Sequence, residues 1–137
     1  MSNVKELLIA QDNGSLCFGD YSLDEKTKLS DFAFEEHTYK VKTFKEITRL
    51  EKNGAVLFES VPGSAVHNFK ASEGLVEFDV ESADDIEITL GLAAEAEYKV
   101  YVDDTNIGKM KANLGGKINF SIELNAGQTA KVRVVTL

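Results

Sequence analysis

The chain has no tryptophan, one cysteine, one proline, two histidines and two arginines among its 137 residues. Each shortage excludes something. With Cys17 alone no intrachain disulfide forms, and a lone thiol fits a reducing compartment. Cys17 lies in Leu16-Cys17-Phe18 as a small apolar strand residue, and a nucleophilic thiol needs a base that neither His37 nor His67 supplies in a recognisable motif. His67 also lacks a Cys, His or paired acid at metal-ligating spacing. Without tryptophan, a sugar-stacking surface has to be built from Phe and Tyr. No apolar run approaches a membrane span. The opening MSNVKELLIAQ lacks the basic start, long apolar region and small-residue cleavage site of a secretion signal, so a cytoplasmic location is expected. Fifteen basic residues against twenty-three acidic ones give a formal charge of −8. A field of that sign repels phosphate backbones and anionic lipid, so neither nucleic acid nor membrane is an expected partner. Calcium-binding loops, phosphate-cradling glycine loops, nucleophile elbows and zinc-binding helices are all absent, and no cofactor is expected.

What is present is period-two alternation. Ile118, Phe120, Ile122 and Leu124 oppose Lys117, Asn119, Ser121 and Glu123, which gives a strand one face of which meets a core. Tyr98, Val100 and Val102 form another such face before the turn-favouring cluster Asp103-Asp104-Thr105-Asn106. Residues 98–124 therefore read as a half-buried antiparallel sheet, one layer of a β-sandwich. Val76, Phe78 and Val80 oppose Glu77, Asp79 and Glu81. Ile86, Ile88, Leu90 and Leu92 oppose Glu87, Thr89 and Gly91, with Gly91 marking a bend or bulge. Val132 and Val134 oppose Lys131 and Arg133. These inward residues, Val102 included, form the expected core.

The first sixty-one residues are less regular. Leu7–Ala10, Asp12–Ser15 and Leu16–Phe18 read as strand, Asn-Gly turn and strand, with a short helix over Val4–Ala10 as the competing reading. Leu29, Phe32 and Phe34 return the chain to the core after a polar connection. Tyr39, Val41 and Thr43 oppose Lys40 and Lys42. Phe44, Ile47 and Leu50 recur at helical spacing, yet Asn53-Gly54 favours a hairpin over residues 46–60. Val61-Pro62-Gly63 is a turn, and Val66 and Asn68 alternate with His67 and Phe69. The fold class expected is all-β, an antiparallel β-sandwich of jelly-roll or immunoglobulin-like type with at most one short N-terminal helix. It forms a single domain over 1–137, less regular over 1–61 and regular over 65–137.

Few constellations carry chemistry. Glu77, Asp79 and Glu81 share a strand face and would offer carboxylates to a calcium ion or a glycosidase centre, but a solvated polar face is the simpler reading. Gly115-Gly116 makes a turn with no helix after it to hold phosphate. Tyr101 points away from Val100 and Val102, so it is the candidate surface contact, either for a sugar ring or for cross-strand packing. No catalytic, cofactor-binding or metal-ligating residue is assigned.

Two resemblances bear on function. In residues 98–124, Tyr98, Val100, Val102, Asp103, Gly116, Ile118 and Phe120 resemble the hairpin of terminal β-sandwich modules attached to polysaccharide-degrading enzymes, with Asp104 at the usual Gly. Through NGSLCFGDYSLDEKTKLSDF and YKVKTFKEITRLEKNGAVLFESVPGSAVHNF, the whole chain is similar to a family of short bacterial proteins sometimes labelled endosialidase. That label implies a three-arginine clamp with a Tyr nucleophile. Arg49 and Arg133 are the two arginines here, and the Ser-x-Asp-x-Gly-x-Thr-Trp box is missing. The first functional expectation is thus a non-catalytic β-sandwich acting through a binding or self-association surface. A carbohydrate-binding or carbohydrate-enzyme accessory module comes second and a glycoside-active enzyme third. Ala55–Phe58 and Val132–Val135 are apolar on both faces, which adds a homodimer to the expected partners beside a glycan.

Overall fold

The computed structural model describes residues 3–72 and 74–137. Thirteen strands and no helix occur among them. The strands are β1 (Leu8–Ala10), β2 (Leu16–Phe18), β3 (Thr27–Phe34), β4 (His37–Phe44), β5 (Ile47–Lys52), β6 (Ala55–Val61), β7 (Ala65–Ser72), β8 (Leu75–Glu81), β9 (Ile86–Gly91), β10 (Glu97–Val102), β11 (Thr105–Lys111), β12 (Lys117–Ile122) and β13 (Thr129–Thr136). A seven-stranded sheet runs β1-β2-β7-β8-β13-β10-β11 and a six-stranded sheet runs β12-β9-β6-β5-β4-β3, every pairing antiparallel. The two sheets bury their inner faces against each other, the antiparallel β-sandwich that the alternation predicts.

Period two places the core. Val76, Phe78, Val80, Ile86, Ile88, Leu90, Val100, Ile118, Phe120, Ile122 and Val132 are all buried, and Val102 packs half-buried at the margin. Four phenylalanines tie the layers together. Phe58 of the six-stranded sheet meets Phe18 and Phe78 of the other edge-to-face, at centroid distances of 5.3 and 5.4 Å, and Phe69 stacks on Phe78 at 5.6 Å.

Two competing readings fall away and two local expectations are corrected. No helix covers Val4–Ala10: Leu7 has φ 70°, and the backbone there bonds across to the end of β2, Val4 N to Gly19 O and Gly19 N to Leu7 O. Phe44, Ile47 and Leu50 straddle a hairpin, since β4 ends at Phe44 and β5 starts at Ile47. Residues 98–124 do not form one layer. β10 and β11 belong to the seven-stranded sheet and β12 to the other, so the segment crosses between layers at residues 112–116. The alternation across His67 and Asn68 breaks at a bulge, where Asn68 takes φ 56° and the register slips before Lys70. Gly91 makes no bulge, since it stays in register with Lys117; it marks a close approach instead, where a Cβ would lie 2.0 Å from the Val56 carbonyl oxygen.

Candidate functional site

Tyr101 lies on the outer face of β10, half-buried, opposite Arg133 of β13 and Asn106 of β11. The Arg133 guanidinium carbon sits 4.8 Å from the ring centroid, so a cation already occupies one ring face. Arg49 belongs to β5 of the opposite sheet, so the two arginines do not converge.

The acidic row of β8 is also divided. Glu77 pairs across to Arg133 and Asp79 to Lys131, and Asn68 Nδ2 donates to Asp79 Oδ2 at 2.9 Å. Glu81 is covered instead, 5% exposed, and its Oε1 accepts the Tyr21 hydroxyl at 2.7 Å while Oε2 has no hydrogen-bond partner. Burial first, then the hydrogen bond to Glu81 and the negative charge of that carboxylate, push the Tyr21 hydroxyl up to about 12. Tyr21 therefore holds its proton at neutral pH, the reverse of what a tyrosinate nucleophile needs.

A buried hydroxyl chain closes the adjoining end of the sandwich. The Asp20 amide donates to Thr43 Oγ1 (2.9 Å), Thr43 and Thr48 hydroxyls meet at 2.8 Å, Thr48 donates to the Ser64 carbonyl (3.0 Å), and Ser60 and Ser64 meet at 2.7 Å. Ser82 donates to the Gly63 carbonyl at 2.7 Å. This chain of bonds satisfies the loop after β6, where the Val61–Pro62 peptide is cis. A depression of about 650 Å³ is lined by Val76, Tyr98 and Val134, and among the described residues Lys52 is its one charged lining residue. Among the described residues, no three His, Cys, Asp or Glu side chains are placed to hold a metal ion.

The feature that period and composition do not announce is cationic. On the outer face of the six-stranded sheet, register sets Lys28 of β3 opposite Lys42 of β4, and Lys42 opposite Arg49 of β5. Three cations thus stand side by side on three adjacent strands, about 4.8 Å apart from strand to strand. Lys40 lies one outward position along β4 opposite Glu51, and Lys26 extends the patch with its ammonium 5.9 Å from the Phe44 ring centroid. One carboxylate ends the row: Glu59 Oε1 accepts from Arg49 Nε at 2.8 Å and from Nη2 at 2.5 Å. Partial burial, then the charges of Arg49, Lys26, Lys28 and Lys40, hold the Lys42 ammonium below the ordinary lysine range.

Like charges directly opposite on neighbouring strands are unfavourable. The arrangement is therefore a local cost to folding, and such costs concentrate at functional surfaces. The whole-chain charge of −8 hides it. A windowed count reveals it: residues 26–52 carry seven basic and five acidic side chains, the rest of the chain eight and eighteen. Comparison with protein-family models gives no match for this chain, and comparison with curated proteins gives none either.

Proposed function

We propose that the protein is a non-catalytic binding module that holds an extended polyanionic chain, an acidic polysaccharide, across the outer face of β3, β4 and β5. The observation that carries this reading is the Lys28–Lys42–Arg49 row, three unlike strands bringing like charges together where one carboxylate offsets them. A bound anion offsets the repulsive part of the Lys42 shift and so favours the ammonium form, which couples ligand binding to proton uptake. The chemical class follows from the surroundings. A duplex or a membrane is broad enough to meet the acidic remainder of the surface as well, whereas a single flexible chain lies along the cationic strip and avoids it. A flat sheet face with Phe44 at its margin suits a carboxylated or sulfated sugar chain. Tyr101 is a weaker glycan platform, because Arg133 covers one side of its ring.

The test is a side-by-side titration of the purified protein with hyaluronate, heparin, polyphosphate and single-stranded DNA over a range of salt. The expected result is preferential binding of a sugar polymer, weakening as salt rises, with Lys42→Glu lowering affinity about tenfold or more, some 1.4 kcal/mol. Arg133→Glu, on the other sheet, should leave it unchanged. Binding lost with Arg133→Glu and kept with Lys42→Glu would sink the assignment.

A further inference from the structure

We infer that the protein forms a two-fold dimer by antiparallel pairing of β12 with β12 of a second copy. Each of the sheet edges β1, β3 and β11 is blunted. β1 has three residues, β3 is broken by a bulge at Leu29–Phe32 with Asp31 at φ 58°, and the β10–β11 ladder slips at Val100–Tyr101 opposite Gly108. A β3–β3 contact would also set two cationic strips against each other. β12 has none of these protections: its six residues stay in unbroken register with β9, without proline or glycine.

The register of the free edge can be derived. Leu92 N donates to Gly116 O at 2.6 Å, so the even-numbered residues of β12 bond to β9 and the odd-numbered ones face outward. The Lys117 backbone is occupied by its own loop, its N–H bonded to Asn113 Oδ1 (3.0 Å) and its carbonyl accepting from Asn113 N (3.1 Å). Asn119, Ser121 and Glu123 remain. A two-fold axis at Ser121 sets Ser121 against itself and Asn119 against the partner's Glu123, giving about six backbone hydrogen bonds at two per pair. Phe120 then faces the partner's Ile122 on the inner side, and no like-charged side chains meet. An axis at Phe120 would drive the partner's Glu123 into Asn113.

Such a dimer joins both six-stranded sheets into one of twelve. Resting on the binding role proposed above, it carries two cationic strips nine strand spacings apart along one continuous, twisted sheet.

Light scattering of the full chain at micromolar concentration tests the pairing independently of any ligand. The expected mass is twice 15.0 kDa, rising in population with salt because two subunits of charge −8 repel. Ser121→Lys, which sets two ammonium groups at the axis, and Ser121→Pro, which removes an outward N–H only, should each return the monomer mass, while Asn106→Lys on the β11 edge should not. A wild-type mass other than that of a dimer, or a dimer that survives both Ser121 variants, overturns the inference. Loss of polysaccharide binding with the dimer intact would instead count against the cationic strip.

Discussion

At the scale of single residues, Glu81 and Tyr21 form the most exacting contact in the molecule. One carboxylate oxygen depends on one phenol, and the other oxygen is buried without a partner. Tyr21→Phe should destabilise the protein by about 1–3 kcal/mol in urea titration, because it strands a buried acceptor while leaving the ring in place. The folded-state pKa of Tyr21, about 12, lies above its ordinary value of 10.0. Its contribution to stability is therefore complete below about pH 10 and is lost as pH rises toward 12. Burial also raises Tyr39, so in ultraviolet titration of tyrosinate the component near 12 belongs to Tyr21 if Glu81→Gln brings it down, as expected, and Tyr21→Phe removes it. The sequence placed Glu81 with Glu77 and Asp79 on one face. The face was right, but the cover that Tyr21 supplies comes from sixty residues upstream and leaves no local signal.

At the scale of elements, alternation made most strands legible wherever one face is buried and the other wet. The strands over 76–81, 86–91 and 117–122 follow directly from it, while the hairpin over residues 46–60 follows from the Asn53-Gly54 turn signal against a helical spacing. It failed at β11, where Thr105–Lys111 is largely exposed at a sheet edge and Gly108 interrupts it, so no apolar face imposes a period. It also missed the slip at Asn68, since a bulge changes the count without changing composition. Ala55–Phe58 lies in β6 inside its sheet, where Leu57 packs against the core, and Val132–Val135 lies in β13 inside the other sheet, where Arg133 makes the outer face polar. Two substitutions probe this level. Phe58→Ala, at the junction of three other phenylalanines, should cost about 3–5 kcal/mol in equilibrium unfolding. Gly91→Ala should cost more than Gly54→Ala: the first drives a Cβ into the Val56 carbonyl, while the second meets open space and pays mainly for its positive φ, about 1 kcal/mol.

At the scale of the whole molecule, charge is partitioned rather than uniform. The strip on β3–β5 is cationic on a chain that is acidic elsewhere, so salt should act in opposite senses on the two proposed interactions. It weakens polyanion binding by screening attraction and strengthens subunit pairing by screening repulsion. Raising pH through the lowered range of Lys42 should reduce polyanion affinity before ordinary lysines lose their protons, and Lys42→Arg should abolish that early loss in a binding titration. Sequence by itself determined the all-β class, the inward residues and the turns at Asn53-Gly54 and Asp103-Asp104, because these follow from side-chain period and local backbone preference. Only the tertiary structure decided that Tyr98–Leu124 divides between layers, that Tyr21 caps Glu81, and that Lys28, Lys42 and Arg49 stand in one row. The reason is physical: a strand's own pattern fixes which way its side chains point, while which strands become neighbours, and in what register, depends on pairing between residues far apart in the chain.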